Sequence, residues 1–221
     1  MTRVLAYHKE KGLITTHRDE LGRETVYDRL RRCFPGERVE WHAIGRLDAD
    51  TTGLLLFTDD GALVSYATRP DSAAGVKVEK VYRVLAKGLL NEEQLAALRG
   101  GVELSGGLGR SAPAKVEVVG FQVATTWIEV TIGEGKNRQV RRMLLAVGSQ
   151  VIRLCRVRIG GLRLEDLVPN VGEWRELKPA EIESGLGYRV RDIGGVSAPG
   201  HTPRAGSSRR PGRSRGARRP R

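Results

Sequence analysis

The feature that most constrains this fold is segment 45–61, in which two polar turns enclose an unbroken apolar run. The run 54–57 reads Leu-Leu-Leu-Phe and lies between Gly53 and the acidic turn at 59–61. Four apolar residues are too few for a capped helix, but they fit a strand that is buried on both faces. The segment therefore predicts a central buried strand with a polar turn at each end.

Charged residues stand shortly before this strand. In an extended backbone the side chains alternate, so Arg46 and Asp48 share one side and Leu47 lies on the other. A guanidinium beside a carboxylate favours the ionised carboxylate. We therefore expect Asp48 to be an ionised acid on a rigid mount at the mouth of the buried strand, and we expect the active site there.

Size and composition predict a globular protein. The chain has 221 residues, 39% of them hydrophobic, which is enough for one large domain or two small ones. No apolar run approaches the roughly 18 residues of a membrane helix, and the first residues do not resemble a signal peptide. We expect a cytoplasmic location. Cys33 and Cys155 have neither zinc nor disulfide spacing, and we expect both to be buried small apolar side chains.

The net charge of +12 is concentrated at the end of the chain. Residues 189–221 contain ten arginines and one acid, Asp192, among glycine, proline and serine. Such a segment cannot bury enough apolar surface to offset its ordering entropy. We expect a folded domain over residues 1–188 and a disordered basic tail over 189–221. The tail either improves solubility or attracts RNA, and its composition favours RNA.

Hydrophobic periodicity predicts more strands than helices, joined mostly by turns. Strand patterns occur at 3–8, 39–44, 54–57, 80–86, 102–104, 114–119, 127–132, 151–159 and 174–177. Helix patterns occur at 25–32, 62–68, 91–99, 140–147 and 179–186. The predicted class is α+β, with a large mixed, mainly antiparallel sheet and flanking helices.

Segment 133–148 combines a glycine-rich turn with an amphipathic helix. Its apolar residues recur at helical spacing: Val140, Met143, Leu144 and Val147. At about 100° per residue, Arg138 and Arg142 point away from that face, whereas Arg141 lies on its flank. Arg141 is therefore the arginine best placed to reach from the core edge into a cleft.

Three motifs, in this order, resemble those of the RsuA-like branch of the pseudouridine synthases, which isomerise uridine in ribosomal RNA. They are Gly-Arg-Leu-Asp-x-x-Thr-x-Gly-Leu-Leu at 45–55, Lys-x-Tyr at 80–82 and Gly-Lys-Asn-Arg-Gln-Val-Arg-Arg-Met at 135–143. The resemblance extends from residue 3 to about residue 177. It implies the pseudouridine synthase catalytic fold.

The resemblance also implies roles for individual residues. Asp48 would be the catalytic carboxylate, acting as a nucleophile on the uridine or as a base at the ribose. Tyr82 would stack on the extruded base and assist proton transfer. Arg141 would pair with Asp48, which leaves Arg46 for the RNA side of the site, where it would occupy the gap left by the flipped nucleotide or grip its phosphate.

Three further basic residues are candidate RNA contacts: Lys80, Arg138 and Arg142. Lys80 fits a solvated strand lysine equally well. The resemblance implies no metal and no cofactor, since the uracil is detached, turned and rejoined without net redox change or hydrolysis. The implied partner is ribosomal RNA or a pre-ribosomal particle, and we expect a monomer.

Two departures from the branch pattern stand out. Many members start with a small S4 RNA-binding domain, whereas this chain begins at the catalytic body, so we expect the body or the basic tail to recruit the RNA. Members without an S4 domain include large-subunit enzymes, which favours 23S RNA by analogy. The early turn at 9–12 reads Lys-Glu-Lys-Gly where the branch commonly has Lys-Pro before this glycine.

Two other functions fit parts of the sequence. Four aspartates, at 48, 50, 59 and 60, could be imagined as metal ligands of a nuclease, but no second acidic or histidine cluster completes such a site, and residues 59–61 fit a turn and helix cap. A ribosome-associated RNA-binding protein without catalysis is the other alternative. A carboxylate facing a phosphate backbone would repel it, which favours the enzyme.

Overall fold

The computed structural model describes residues 2–68 and 78–190. Its strands are β1 (Val4–Lys9), β2 (His42–Ala43), β3 (Thr52–Thr58), β4 (Lys80–Lys87), β5 (Glu103–Leu104), β6 (Gly109–Arg110), β7 (Lys115–Gln122), β8 (Thr125–Ile132), β9 (Val151–Ile159), β10 (Leu162–Arg163) and β11 (Trp174–Glu176). Its helices are α1 (Val26–Cys33), α2 (Gly61–Thr68), α3 (Glu92–Gly100), α4 (Gln139–Ala146), α5 (Leu164–Leu167) and α6 (Pro179–Leu186). In these two ranges no helix is long and apolar enough to span a bilayer. Most of the expected tail, from residue 191 onward, lies outside the described residues.

One large sheet organises the fold. Seven strands run in the order β11-β1-β3-β9-β4-β8-β7, with β2 added beside β3 and β10 beside β9. Their pairings are antiparallel except that between β3 and β9, which is parallel at Thr52–Cys155 and Gly53–Arg156. The predicted α+β class, with its mixed and mainly antiparallel sheet, is confirmed.

Strand β3 is buried on both faces, as its apolar run predicts. Leu54 and Leu56 face the cluster formed with α2 and α6, whereas Leu55 and Phe57 face the cluster formed with α1. All four side chains are 0% exposed. A third cluster lies under α3 and α4, against β4 and β8. Because β3 is enclosed on both sides, the turn that precedes it has a rigid support.

Local capping explains where several helices begin. Thr25 and Asp28 form a capping box at α1, and Asn91 and Gln94 form another at α3. Before α2, Asp60 Oδ1 accepts a hydrogen bond from the Ala62 N–H at 2.8 Å. These starts agree with the sequence patterns. In contrast, residues 109–110, which belong to none of the predicted strands, pair with β5 as the short strand β6.

The expectation that both cysteines are buried is wrong for Cys33. This residue is exposed at the last position of α1, and Phe34 takes its place against the core, with its ring 5.8 Å from that of Trp174. Helical spacing places Cys33 on the same face as Val26 and Leu30, but it does not show how far the core extends along that face. Cys155 is partly buried, and burial raises the pKa of its thiol.

Candidate active site

Asp48 lies in the turn that leads into β3. Leu47 is 5% exposed and belongs to the α1-side core, while Arg46 is exposed and the Asp48 side chain is 30% exposed. The expected alternation is therefore present. The Thr51 N–H donates to the Asp48 carbonyl at 3.1 Å and closes the turn.

Lys9 supports this turn from beneath, and the sequence analysis missed it. Its side chain is 0% exposed, and Nζ donates to the carbonyl oxygens of Glu10, Asp48 and Thr51 at 3.0, 3.1 and 2.9 Å. Burial lowers the pKa of Lys9 to about 8, against the opposing effect of nearby carboxylates. The position of Lys9 at the end of an apolar strand could have indicated that it is buried. The turn pattern at 9–12 instead predicted an exposed residue.

Two acids and two arginines meet at this point. Arg138 Nη1 lies 3.3 Å from Asp48 Oδ2, and Arg138 Nη2 lies 3.3 Å from Asp50 Oδ2. Arg141 Nη2 lies 3.1 Å from Asp50 Oδ2, and Arg141 Nε lies 4.0 Å from Asp48 Oδ2. The expected pairing of Arg141 with Asp48 is thus present at long range, and Asp50 is the nearer acid.

The expectation that Arg141, rather than Arg138, faces Asp48 needs correction. Helix α4 begins at Gln139, and Arg138 is its N-cap with φ 50° and ψ 33°, so the helical projection does not apply to it. This left-handed conformation is uncommon for a residue with a Cβ. Gln139 holds the preceding loop, since its Oε1 accepts from the Lys136 N–H and its Nε2 donates to Glu134. The loop thereby directs Arg138 to both acids.

The electrostatics of the cluster favour the ionised form of Asp50. Burial raises the pKa of Asp50, but the hydrogen bond from Arg138 and the charge of Arg141 outweigh it and hold that pKa below its usual value. Arg141 is largely enclosed, and burial lowers its pKa while Asp50 raises it. Its Nη2 also donates to the Asp50 carbonyl oxygen at 3.1 Å, which fixes its orientation.

A cavity of about 360 Å³ opens beside this cluster. Its lining residues come from the turn before β3, the helix α2, the strands β4 and β9, and the loop before α4: Gly45, Arg46, Asp48, Thr68, Lys80, Tyr82, Glu134, Gly135, Lys136, Asn137, Arg138 and Arg156. Five of the seven expected site residues are among them. The third motif and the first, which are distant in sequence, thus form two walls of one cleft.

The other two expected residues lie outside the lining. Arg141 stands behind the acids and contacts Asp50 and Thr51. Arg142 extends to the other side of the loop, where it donates to the carbonyl oxygens of Asn137 and Ser105. The structure therefore places Arg141 as a positioning residue and Arg142 away from the cavity.

Lys80 is partly buried rather than solvated. Its Nζ donates to the Ala67 carbonyl oxygen at 3.3 Å, and it lines the cavity beside Tyr82. Burial lowers its pKa to about 8, and the charge of Arg156 lowers it further in the same direction. The alternative of a solvated strand lysine does not fit this environment.

Arg156 is a second residue that the sequence analysis missed. It lies on β9, is 2% exposed and donates through Nε to the Leu54 carbonyl oxygen at 2.8 Å. The alternation in 151–159 indicated a partly basic strand but could not show which arginine turns inward. Its neighbour across the sheet is Tyr82.

The four aspartates do not form one site. Asp59 and Asp60 lie at the opposite end of β3 from Asp48, where Asp59 accepts from the Arg3 N–H and Asp60 caps α2. In the described ranges no group of three His, Cys, Asp or Glu residues is arranged to hold a metal ion. The cavity instead offers two carboxylates, a phenol ring and several cations, which suits a planar ring attached to an anionic backbone.

Known proteins of one family are similar to this chain in sequence and in fold. The profile of the family described as RNA pseudouridylate synthase matches residues 3–146. Ribosomal large subunit pseudouridine synthase B of Escherichia coli K12 is 42% identical over 179 residues, which cover 81% of this chain and 58% of the relative. The Haemophilus influenzae protein of the same name is 42% identical over 175 residues, 79% of this chain and 46% of the relative. The chain thus spans about half the length of these curated relatives.

A solved structure agrees in fold over most of the chain. The crystal structure of a pseudouridylate synthase superposes with a TM-score of 0.71 at 34% identity, covering 84% of this chain and 74% of that one. A Nop10-Cbf5 complex of an archaeal box H/ACA particle matches at 16% identity and a TM-score of 0.52, which shows the fold alone. With its three motifs, its sheet and its matching profile, this chain belongs to the RNA pseudouridylate synthase family.

Proposed function

We propose that this protein isomerises a uridine in ribosomal RNA to pseudouridine, and that the RNA is the 23S RNA of the large subunit. The observation that carries the proposal is the Asp48 carboxylate on the cavity wall, 3.3 Å from Arg138 and in the same lining as Tyr82. The curated relatives are named for the large ribosomal subunit, which supports the choice of RNA.

The reaction balances without an external group. The bond between the ribose C1′ and the uracil N1 breaks, and a bond between C1′ and C5 forms. N1 gains a proton and C5 loses one, so no electrons and no water are consumed. Asp48 acts either as a nucleophile on the uridine or as a base at the ribose, and both roles need an unprotonated carboxylate.

The surrounding residues divide the remaining tasks. The target uridine must leave its own stack to reach a recessed carboxylate. Tyr82 then stacks on the extruded base and assists proton transfer. Arg138 and Arg141 hold Asp48 and Asp50 in place and keep the pKa of Asp50 below its usual value. Arg46 is exposed at the rim and contacts the RNA backbone.

The organisation of the chain completes the proposal. Residues 1–188 form the catalytic domain, and the arginine-rich segment 189–221 attracts RNA through its charge. The protein acts in the cytoplasm as a monomer, on free ribosomal RNA or on a pre-ribosomal particle.

The test uses unmodified transcripts of 23S and 16S RNA, incubated with the protein and then mapped for pseudouridine. The full-length protein should modify a defined 23S uridine. Asp48→Asn, which keeps the side chain's size, should lower the rate by about a thousandfold or more. Asp59→Asn is the matched control, because Asp59 lies at the other end of β3, and its rate should be unchanged.

Two outcomes would contradict the proposal. Equal product from Asp48→Asn would remove Asp48 from the chemistry. Tight binding of the transcripts with no product from either RNA would favour an RNA-binding protein without catalysis.

A further inference from the structure

Arg156 carries a donor for which residues 2–68 and 78–190 supply no acceptor. The residue sits where β9 pairs with both β3 and β4, opposite Gly53 and Tyr82. Its Nε donates to the Leu54 carbonyl oxygen, and its Nη1 lies 3.5 Å from the Arg46 carbonyl oxygen. Its Nη2 is buried and has no hydrogen-bond partner in the described part of the chain.

Lys80 is the second cation on the same cavity wall. Both side chains line the cavity that contains Asp48. Across residues 2–68 and 78–190, no carboxylate forms an ion pair with either Lys80 or Arg156. Arg138, which is exposed at the rim, differs because it pairs with Asp48 and Asp50. The inner wall therefore carries two cations that no carboxylate of these residues pairs with directly.

The chemistry of these two groups restricts what they bind. Lysine and arginine side chains donate hydrogen bonds and accept none. A buried donor left unpaired carries a desolvation cost that an acceptor on a ligand removes. The wall therefore fits an oxygen acceptor and does not fit an amino group.

Depth decides which acceptor this is. Arg46 is exposed at the rim, where the RNA backbone passes, whereas Arg156 is 2% exposed behind it. In a nucleotide that enters this cavity, the phosphate stays near the rim and the base goes deepest. Uracil carries a carbonyl oxygen at position 4, where cytosine carries an amino donor.

We propose that Arg156, together with Lys80, binds the 4-carbonyl oxygen of the target pyrimidine and so selects uracil over cytosine. This proposal rests on the proposed function and adds a residue that recognises the base. Arg156 touches the substrate, in contrast to Arg141, which acts through the acids.

The experiment measures binding of three small probes to the full-length protein by NMR titration: uridine 5′-monophosphate, cytidine 5′-monophosphate and ribose 5-phosphate. The unaltered protein should bind the uridine nucleotide about tenfold or more tightly than the cytidine nucleotide, which is typical of one hydrogen bond to a charged donor. Arg156→Met should abolish this preference, and Lys80→Met should reduce it severalfold.

Arg158→Met is the matched control. Arg158 lies on the same strand but lines a separate groove with Val81, so its loss should leave the preference unchanged. If urea denaturation shows that Arg156→Met does not fold, the preference of Lys80→Met for the uridine nucleotide tests the proposal instead.

Three results would overturn the proposal. The first is an unchanged preference in the folded Arg156→Met and Lys80→Met variants. The second is that ribose 5-phosphate binds as tightly as the uridine nucleotide and that Arg156→Met weakens its binding, which would make Arg156 a phosphate contact. The third is an unaltered protein without preference between the two nucleotides.

The transcript assay separates this proposal from the proposed function. Pseudouridine formation together with an unchanged preference in Arg156→Met would contradict only the role of Arg156. Absence of pseudouridine, with a preference for uridine that depends on Arg156, would contradict only the proposed function.

Discussion

The ammonium group of Lys9 lies beneath the turn that carries Asp48 and donates to the Asp48 backbone carbonyl oxygen at 3.1 Å. The same group donates to the Thr51 carbonyl oxygen at 2.9 Å, so one buried cation holds the two ends of the turn. The side chain of Asp48 is thereby left for the cavity, while its backbone is fixed from the core side. The position of the acid depends on a residue 39 positions earlier in the chain.

Replacing Lys9 should loosen this turn. Lys9→Met keeps the length of the side chain but leaves three carbonyl oxygens without their donor, so we expect a loss of about 3 kcal/mol in the free energy of unfolding. Urea denaturation measures that loss, and the transcript assay should show a lower rate. Lys11→Met, at an exposed position of the same turn, should change neither quantity, and equal stability of the two variants would contradict the role of Lys9.

Gly53 should not tolerate a side chain. It has φ +107°, and a Cβ there would lie 2.7 Å from the Arg156 backbone nitrogen and still closer to the Arg156 carbonyl oxygen. Gly53→Ala should therefore separate β3 from β9 and cost about 3 kcal/mol or more in the free energy of unfolding. Thermal unfolding measures this. Gly61→Ala has open space and no positive φ, and its melting temperature should stay the same or rise.

The stability contributed by Lys80 should depend on pH. Its pKa is about 8 in the folded protein and 10.5 in the unfolded chain, so between these values the unfolded state binds more protons. The difference in free energy of unfolding between the unaltered protein and Lys80→Met should be constant below pH 8. It should rise from about pH 8 to 10.5, because deprotonation relieves the burial of charge. Chemical denaturation of the two proteins across this pH range measures the difference. A difference in free energy of unfolding that does not change with pH would contradict the burial of Lys80.

The basic segment after Val190 should strengthen RNA binding. Deleting residues 191–221 removes nine arginines, so affinity for the 23S transcript should fall by tenfold or more, with a shallower dependence of log affinity on log salt. Filter binding at several salt concentrations measures both. A full-length variant with these nine arginines changed to glutamine should behave like the deletion. Unchanged affinity and salt slope in both would contradict an RNA-binding role for the segment.

Much of the fold could be predicted from local pattern. The run 54–57 predicts β3 because four apolar residues between polar turns fit a strand enclosed on both faces, and its side chains are 0% exposed. The capping box at Asn91 predicts the start of α3 because the side chains concerned act within one turn of the helix. The prediction of a buried Cys33 is wrong because spacing within a helix does not show how far the core extends along its face.

The candidate site was predicted in part. Asp48, Tyr82 and Lys80 belong to short motifs, and all three line the cavity. Arg138 was placed by a helical projection that its left-handed backbone does not obey, and that backbone is held by a loop with contacts to Glu134 and Gln139. The third motif also offers Arg142 as an RNA contact, and its side chain extends to the Ser105 loop, outside the cavity lining.

By itself, the sequence determined the central strand and several of the candidate site residues in the motifs around it, because alternation, capping and turn formation are short-range effects. Only the tertiary structure decided which cations meet which acids. Lys9 and Arg156 come from strands that flank β3, and their burial depends on how the sheet is ordered. Desolvation and ion pairing arise between residues that are far apart in the chain, so no local pattern contains them.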